Sequence, residues 1–397
     1  MKLVVIPSDP ISEYEKKGTS SWLKMYYNPN GYFEEVFVLS PLEKITCQKY
    51  GLTIIPIQSK KQYHKMLEEI QPDVIRAYGG YWAAEYAVSH RNRNIPVIVS
   101  VHDTNPDLLY KAVKYADHII CMTNAVRNLV CTSLNIEKSK TSILGNRVNT
   151  NQFKELNTAA VKEVRQIISG KDKFILHIGR KTHQKNIDTL IHALKYLPEN
   201  YKIIFVGQGN SEPYQVLASE LGVGKNCIWI PKVENSKLPY WYNACDLFCV
   251  PSRWEGFGVV FIEAAACKCL MLTSNIAPMN EIFLKDEAIL IDNYENPKEV
   301  ADSILFAMSL KKEAKEKIVN AAQAKAENFD VKKIASNEVN IYKTVIQKYI
   351  PWRSNFSFYL WKTGADIRLF SDRFNSQASK LIRKLIRVQK RIVSIAS

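Results

Sequence analysis

Short apolar runs typical of β-strands alternate with runs of helical spacing, and this alternation occurs twice along the 397-residue chain. In the first half it predicts strands at 3–6, 35–39, 52–57, 73–77, 97–101 and 118–122, and helices at 18–27, 60–70, 81–90, 107–115 and 124–134. After a polar, turn-rich segment it predicts strands at 173–178, 202–206, 227–230, 247–250, 270–273 and 288–291, and helices at 186–196, 212–221 and 331–349. Such alternation is typical of parallel sheets covered by helices. We therefore expect an α/β fold with two Rossmann-like, doubly wound domains that face a cleft.

The length and composition agree with two ordinary globular domains. A chain of this size can form two large cores, and it is 46% hydrophobic and 23% charged. Its eight cysteines are scattered without a C-x-x-C pair, which favours buried thiols in a reducing compartment. The predicted divisions are two Rossmann-like domains, a closing helix and a basic tail, at residues 1–165, 166–335, 336–350 and 351–397.

The stretch from Pro251 to Glu263 combines a tight glycine turn with the beginning of a helix, directly after a predicted strand. A helix N-terminus presents free N–H groups and the positive end of the helix dipole, so it binds anions. Gly256 and Gly258 have no Cβ, which lets a phosphate approach the backbone closely. Glu255 and Glu263 flank this turn. The pattern predicts a ligand that has hydroxyl groups on both sides of its phosphates, as a nucleotide sugar does.

This stretch resembles the E-x7-E signature of the retaining, family 4-type glycosyltransferases, also called glycosyl transferases group 1. The signature is P-S-x-x-E-G-F-G-x-x-x-x-E-A, and the matching residues are Pro251, Ser252, Glu255, Gly256, Phe257, Gly258, Glu263 and Ala264. Three further segments resemble the family's N-G-V-D-x-x-x-F, G-R-x-x-x-x-K-G and V-G-x-G patterns, at 147–153, 179–186 and 205–209. The resemblance implies the GT-B fold, with an N-terminal acceptor domain at 1–165 and a C-terminal nucleotide-sugar domain at 166–335. It also implies sugar transfer from a nucleotide donor with retention, usually without a bound metal.

The chain also departs from the family pattern. Arg147 replaces the glycine of N-G-V-D, and Asn149 replaces its aspartate. Lys268 and Leu270 stand where the family has a glycine and a proline after the second glutamate of the signature. Because this loop borders the nucleotide, we make no prediction about the base.

Five side chains are predicted to act on the donor. Arg180 and Lys185 follow a predicted strand, and an arginine fork with a lysine point charge suits phosphate oxygens. The resemblance implies that these two hold the donor diphosphate, the leaving group of the transfer. It also implies that His102 lies against the transferred sugar, that Glu255 contacts the sugar hydroxyls, and that Glu263 binds the ribose. We predict catalytic roles for the first four residues and donor binding for Glu263.

Other donor contacts follow from the same resemblance. Gly256, Phe257 and Gly258 are expected to supply backbone N–H groups to the phosphates. Gly18 is the only glycine of the first strand-to-helix loop, where the family often has two, and Glu281 resembles a further family glutamate near the site. No D-x-D motif follows a strand, so we expect no metal and no cofactor besides the nucleotide-diphosphate sugar.

The C-terminal tail carries about half of the net charge of +15, because residues 354–397 contain nine Lys or Arg and two Asp. At 377–395 the apolar residues form a stripe of period 3.6 between basic residues, which is typical of an interfacial amphipathic helix. Aromatic residues of a type that favours a headgroup layer precede it: Trp352, Phe356, Phe358, Tyr359 and Trp361. We expect an anionic membrane surface as the partner. A helix packed on the protein or in a dimer is the alternative, and no reader motif supports nucleic-acid binding.

Together these features predict a retaining, metal-independent hexosyltransferase that moves a sugar from a nucleotide-diphosphate sugar to a glycan or lipid-linked acceptor in cell-surface polysaccharide synthesis. The chain start is too short for a signal peptide and no apolar run reaches membrane-spanning length, so we expect a cytoplasmic, peripheral protein on the inner face of the membrane. A glycan phosphorylase or sugar-phosphate synthase of the same fold remains a second enzyme hypothesis. A non-catalytic basic protein that binds lipid or nucleic acid would not account for His102, Arg180 and Glu255 together.

Overall fold

Two β-sheets, one in each half of the chain, form the framework of the protein. The structure is a computed structural model that describes residues 1–89, 94–351, 358 and 361–362. The first sheet consists of β1 (Lys2–Ile6), β2 (Glu35–Ser40), β3 (Cys47–Lys49), β4 (Leu52–Pro56), β5 (Val74–Tyr78), β6 (Val97–Val101), β7 (His118–Cys121) and β8 (Thr141–Ile143). The second consists of β9 (Lys173–Ile178), β10 (Tyr201–Val206), β11 (Cys227–Ile230), β12 (Leu247–Val250), β13 (Met271–Ser274) and β14 (Ile289–Ile291).

The order of the strands is that of doubly wound sheets. The first sheet runs β3-β4-β2-β1-β5-β6-β7-β8, and the second runs β11-β10-β9-β12-β13-β14. All neighbouring strands are parallel except β3 and β4. Strands β5, β6 and β12 are buried along their whole length, because helices cover both faces of each sheet. The predicted fold class is confirmed.

Helices connect the strands in both halves. They are α1 (Ile11–Lys17), α2 (Leu23–Tyr27), α3 (Lys60–Ile70), α4 (Trp82–Ser89), α5 (Asn124–Leu134), α6 (Ala159–Arg165), α7 (Ile187–Ala193), α8 (Glu212–Glu220), α9 (Leu238–Ala244), α10 (Val259–Ala266), α11 (Met279–Ile282), α12 (Pro297–Ser309), α13 (Lys312–Ala326) and α14 (Val331–Lys348). None of the helices in the described part of the chain is long and apolar enough to cross a membrane.

Two of the predicted helices are wrong. The helix expected at 18–27 does not form as one unit, because Gly18 adopts φ +70° and ends α1 in the left-handed conformation. A short 3₁₀ turn and then α2 follow it. The helix expected at 107–115 is replaced by two 3₁₀ segments, since Leu109 between them has an extended backbone. Strands β3 and β8, of three residues each, were not predicted.

The chain crosses between its two halves twice, and the two crossing segments bind each other. The Val148 N–H donates to the Phe329 carbonyl at 2.9 Å, and the Val331 N–H donates to the Val148 carbonyl at the same distance. The Thr150 hydroxyl adds a 2.6 Å bond to the Asp330 carboxylate. Helix α14 then packs on the first half, whereas α6, which precedes the predicted boundary at residue 165, packs on α9 of the second half.

The beginning of the predicted tail contacts the first half of the chain. Phe358 is buried in the core beneath β6 and β7, and its ring centroid lies 5.3 Å from that of Tyr115. The Trp361 ring lies 4.8 Å from Tyr115. The expectation that these two rings favour a headgroup layer is therefore wrong, because their apolar surface is used within the protein. The predicted amphipathic helix at 377–395 lies outside the described residues, as do Trp352, Phe356 and Tyr359.

Candidate active site

A cavity of about 820 Å³ lies between the two halves of the chain. Several of its lining residues directly follow strand ends, which is where open α/β sheets bind ligands. The first half and the crossing segment contribute Tyr14, Lys17, Thr19, Trp22, Leu23, Met25, Tyr26, His102, Asn146, Arg147, Val148, Asn149 and Phe153. The second half and α14 contribute Arg180, Asn235, Val259, Val260, Glu263 and Val331. The cavity thus brings together three of the predicted site residues, His102, Arg180 and Glu263.

Lys185 and Glu255 form a buried ion pair beside the cavity. The Lys185 Nζ donates to Glu255 Oε1 at 2.5 Å, and the Ser252 hydroxyl donates to the same oxygen at 2.7 Å. The two residues are 70 positions apart, so only the fold joins the loop after β9 to the turn after β12. Arg180, on the same loop, is exposed and lines the cavity. One predicted phosphate-binding cation is therefore directed at the cavity, while the other neutralises the glutamate.

Arg253 holds these two loops together, although the sequence analysis assigned it no role. Its guanidinium makes a bidentate pair with Asp188, at 3.0 and 2.8 Å, and donates to Glu295 at 3.0 Å. It also donates to the His183 carbonyl at 2.7 Å, and its backbone N–H donates to the Gln184 carbonyl at 2.8 Å. The position was not recognised because its partners lie 42 to 70 residues away.

The glycine turn is packed against the first half of the chain. A Cβ on Gly256 would lie 2.3 Å from the His102 carbonyl oxygen, and a backbone oxygen cannot move aside as a side chain can. Gly256 is thus required for the close contact between the halves, a reason that the sequence alone did not indicate. Gly258 adopts φ +77° at the beginning of α10. The Phe257 ring packs on Phe329 at 5.3 Å, which anchors the turn.

Glu263 lies on α10 and lines the cavity from the second half of the chain. The Tyr242 hydroxyl donates to its Oε2 at 2.9 Å. Burial raises the pKa of Glu263 to about 7, although the bonds from Tyr242 and Asn235 oppose this shift. The carboxylate is therefore near its titration midpoint at neutral pH, and it can accept hydrogen bonds from a ligand when ionised.

His102 follows β6, as predicted, and reaches the cavity from the opposite side. Burial lowers its pKa to about 4, and the charges of Arg76 and Arg147 add to the shift. The imidazole is therefore neutral at physiological pH. Its Nε2 is shielded from water and has no hydrogen-bond partner among the described residues. A neutral ring whose Nε2 has no partner among the described residues can form a hydrogen bond with a bound sugar.

Lys181 is a second residue that the sequence analysis missed. Its buried ammonium donates to the carbonyl oxygens of Gly207 and Ile230, and burial lowers its pKa. It thereby fixes the ends of β10 and β11 beneath the loop that bears Arg180. Its position next to Arg180 is the only signal that the sequence offers.

Besides Lys185, Glu255 and the residues of the glycine turn, two more predicted residues, Gly18 and Glu281, do not line the cavity. Gly18 ends α1 with a positive φ, and although its neighbours Lys17 and Thr19 line the cavity, it does not. Glu281 is exposed, and its carboxylate accepts the Asn124 N–H at 2.9 Å at the beginning of α5. Their donor-binding roles remain predictions. Within the described ranges, no three His, Cys, Asp or Glu side chains are grouped so that they could hold a metal ion.

Sequence models of two families match the chain. The model described as "Glycosyl transferases group 1" matches residues 161–325, and the model described as "Glycosyltransferase Family 4" matches residues 28–152. An uncharacterized glycosyltransferase of Methanocaldococcus jannaschii is 30% identical over 58% of this chain and 60% of its own length. A D-inositol 3-phosphate glycosyltransferase of Xylanimonas cellulosilytica is 30% identical over 42% of this chain and 41% of its own. The matches thus span about half the length of these curated relatives.

Solved structures share the arrangement of both sheets. A glycosyltransferase from Rickettsia africae superposes with a TM-score of 0.72 at 18% identity, over 88% of this chain and 99% of that one. The HepE protein of Anabaena in complex with UDP and glucose gives a TM-score of 0.72 at 17% identity, over 86% and 99% of the two chains. At these identities the structures show the fold, while the two family models cover both halves of the sequence. The chain belongs to the group 1 glycosyltransferases and has the GT-B fold.

Proposed function

We propose that this protein is a retaining glycosyltransferase that moves a sugar from a nucleotide-diphosphate sugar to a glycan or lipid-linked acceptor in cell-surface polysaccharide synthesis. The observation that carries the proposal is the cavity, where Arg180, Glu263 and the beginning of α10 lie opposite a neutral His102. Similar proteins include an O-antigen chain mannosyltransferase of Salmonella typhimurium, at 23% identity, and a lipopolysaccharide core mannosyltransferase of Rhizobium meliloti, at 26%.

The donor diphosphate would occupy the second half of the cavity. Arg180 offers two parallel N–H groups to phosphate oxygens, and the unpaired N–H groups at the beginning of α10 add a fixed positive potential. In the transfer the nucleoside diphosphate leaves with growing negative charge, and stabilising that charge lowers the barrier. Lys185 would contribute to this field once ligand enters, and its pair with Glu255 would hold that carboxylate in position for the sugar.

The nucleoside and the sugar would then contact the remaining predicted residues. Glu263 can accept hydrogen bonds from the ribose hydroxyls in addition to the one that it accepts from the neutral hydroxyl of Tyr242. His102 would contact the transferred sugar through its open Nε2. These groups supply the positive charge and the hydrogen bonds that the transfer requires, so we propose that it proceeds without a metal ion.

Nucleotide binding provides the test of this proposal. Thermal unfolding is followed with UDP, GDP and ADP, each with and without EDTA, for the wild type and for Arg180→Ala. We expect one nucleotide to raise the Tm regardless of EDTA, since a ligand at a hundred times its Kd stabilises by about 2.7 kcal/mol. The shift should be lost in Arg180→Ala. If no nucleoside diphosphate stabilises the wild type, the cavity is not a donor site.

We also propose that the basic tail holds the enzyme on the cytoplasmic face of an anionic membrane. The nine basic residues of the tail support this location, since each cation near an anionic surface contributes about 1 kcal/mol. The burial of Phe358 in the first half of the chain supports this location further, because the basic residues of the tail follow Phe358 in the sequence. A lipid-linked acceptor would then be close to that half of the cavity.

A further inference from the structure

Two arginines and one glutamate form a buried cluster where the crossing segments meet. Arg76 on β5 lies 3.2 Å from Glu338 Oε1, and Arg147 donates to Glu338 Oε2 at 2.8 Å. Glu338 is on α14 and, like Arg76, is almost completely inaccessible to water. The cluster therefore joins both crossing segments to the first sheet.

The cluster contains one positive charge more than its single carboxylate can balance. In both arginines, Nε and Nη1 are shielded from water and have no hydrogen-bond partner among the described residues. Aromatic faces provide partial compensation, since the Arg147 guanidinium lies 4.8 Å from the Tyr26 ring and that of Arg76 lies 5.1 Å from Tyr78. A buried cation without an anion is costly for a protein. A further anion would relieve this imbalance.

Arg147 is the member of the cluster that reaches the cavity. Its side chain is 12% exposed, and it lines the cavity beside Tyr26 and His102. Lys17 lies on the same side and is about half exposed. Among the described lining residues the one carboxylate is Glu263, which belongs to the second half. The wall formed by the first half and the crossing segment therefore has cationic side chains and, among its described lining residues, no carboxylate.

We expect that folding does not depend on the charge of Arg147. Without it, Arg76 and Glu338 would form a neutral buried pair with the same carboxylate geometry. Without Glu338, in contrast, two buried cations would remain unpaired, and breaking a buried pair in this way is strongly destabilising. The excess positive charge is thus that of Arg147, which the buried pair of Arg76 and Glu338 does not need. This indicates that the charge of Arg147 serves a ligand.

We propose that Arg147, supported by Arg76 and Glu338, binds a phosphate group of the acceptor. The inference rests on the proposed function, and it identifies the acceptor as a phosphorylated compound, either a sugar phosphate or a prenyl-linked phosphate. The donor diphosphate would already occupy Arg180 and the beginning of α10, and Lys17 pairs with Asp9 at 3.8 Å, which leaves Arg147 for the second anion. The apolar side chains of Trp22, Leu23 and Met25 on the same wall would cover the rest of the acceptor.

The test measures binding to the full-length protein saturated with the nucleoside diphosphate that the unfolding experiment selects, so that the donor site is filled. One arm compares glucose 6-phosphate with glucose, and a second compares farnesyl phosphate with farnesol. Each ligand is titrated into the wild type, Arg147→Gln and Arg165→Gln. Arg165 pairs with Asp246 at 2.9 Å away from the cavity, so its variant controls for the loss of one positive charge.

We expect the phosphorylated compound of at least one pair to bind the wild type at least tenfold more tightly than its neutral partner. Arg147→Gln should abolish this preference while it retains its Tm and its affinity for the selected nucleoside diphosphate, and Arg165→Gln should keep the preference. The arm that responds identifies the source of the phosphate. The proposal is overturned if neither arm shows a preference, if Arg147→Gln keeps it, or if that variant unfolds. Failure of UDP, GDP and ADP alike to bind the wild type would instead contradict the proposed function.

Discussion

Glu255 and Glu263 are both buried carboxylates near the cavity, but their partners differ. Glu255 has the ammonium of Lys185 at 2.5 Å and the hydroxyl of Ser252 at 2.7 Å. Glu263 has the neutral hydroxyl of Tyr242, and burial raises its pKa to about 7. The two glutamates of the signature are therefore not equivalent. Glu255 is held by the Lys185 ammonium, whereas burial brings the pKa of Glu263 to about 7.

The first residue-scale prediction concerns the pH dependence of nucleotide-sugar binding. If only ionised Glu263 accepts hydrogen bonds from the ribose hydroxyls, the affinity for the nucleotide sugar should fall about tenfold from pH 8 to pH 6. At pH 6 only about one protein molecule in ten carries an ionised Glu263. Calorimetric titration with a nucleotide sugar measures this, since its diphosphate diester does not titrate in that range. Glu263→Gln should bind weakly at both pH values. A wild-type affinity that is flat across the range would exclude this role.

The same pKa has a consequence for stability. Because the folded-state pKa of Glu263 lies above its ordinary value of 4.5, the folded state holds the proton more tightly than the unfolded state. The contribution of Glu263 to stability is present below about pH 4.5 and is lost as the pH rises through about 7. Relative to the wild type, Glu263→Gln should therefore become more stable between pH 5 and pH 8. Urea unfolding at both pH values measures the difference, and an unchanged difference would contradict a raised pKa.

The second residue-scale prediction concerns Arg180. Its guanidinium is exposed at the cavity, so Arg180→Ala should bind UDP more weakly by about 1.5–3 kcal/mol, which is typical of a lost hydrogen bond to a charged group. Arg180→Lys should recover part of the loss, because a point charge replaces the fork. Turnover should fall further than binding, since the leaving group gains charge in the transition state. Wild-type turnover in Arg180→Ala would show that another group balances the diphosphate.

At the scale of structural elements, the proposed donor site depends on two loops that follow neighbouring strands, β9 and β12. These loops bring Arg180 and Lys185 next to Glu255 and the beginning of α10. Arg253 connects them through Asp188, Glu295 and two backbone carbonyls. It acts through the position of other residues and has no contact with the cavity itself.

Loss of this connection should affect catalysis more than stability. We expect Arg253→Met to reduce kcat/KM for the donor at least tenfold, because small displacements of positioned charges strongly reduce rates. Arg253→Lys should recover only a minor part, since one ammonium cannot replace the bidentate pair with Asp188. Arg165→Met removes a similar pair at the opposite ends of the strands and should leave the donor kinetics unchanged. Equal kinetic losses in Arg253→Met and Arg165→Met would indicate a general structural effect.

At the scale of the whole molecule, local periodicity predicted the two sheets and most of their strands. Strands such as β6 and β12 are buried on both faces, so each is a continuous apolar run that can be recognised without knowledge of its neighbours. The close pairs of the site could not be predicted in this way. Arg147 and Glu338 are 191 residues apart, and only the return of α14 brings them together. The tail shows the same limit, because Phe358 is buried against a ring that precedes it by more than two hundred residues.

The docked rings change how the membrane proposal should be tested. A chain that ends at Lys362 retains Phe358 and Trp361, whereas a chain that ends at Tyr349 loses both. We expect both forms to lose co-sedimentation with anionic vesicles, and full-length binding to weaken as salt rises. The shorter form should also lose about 2 kcal/mol of stability, as expected for exposing one buried aromatic side chain. If the form that ends at Lys362 sediments as well as the full chain, the tail is not the anchor.

The most direct test of the account is the stereochemistry of donor cleavage. Nucleotide sugars that carry the base selected by the unfolding experiment are incubated with the enzyme. The anomeric proton of the released sugar is followed by NMR before mutarotation. A retaining enzyme that uses Arg180 to stabilise the leaving diphosphate should release the α-anomer first from an α-linked donor. Arg180→Ala should release almost none. Initial appearance of the β-anomer, or cleavage that is unaffected in Arg180→Ala, would contradict the account.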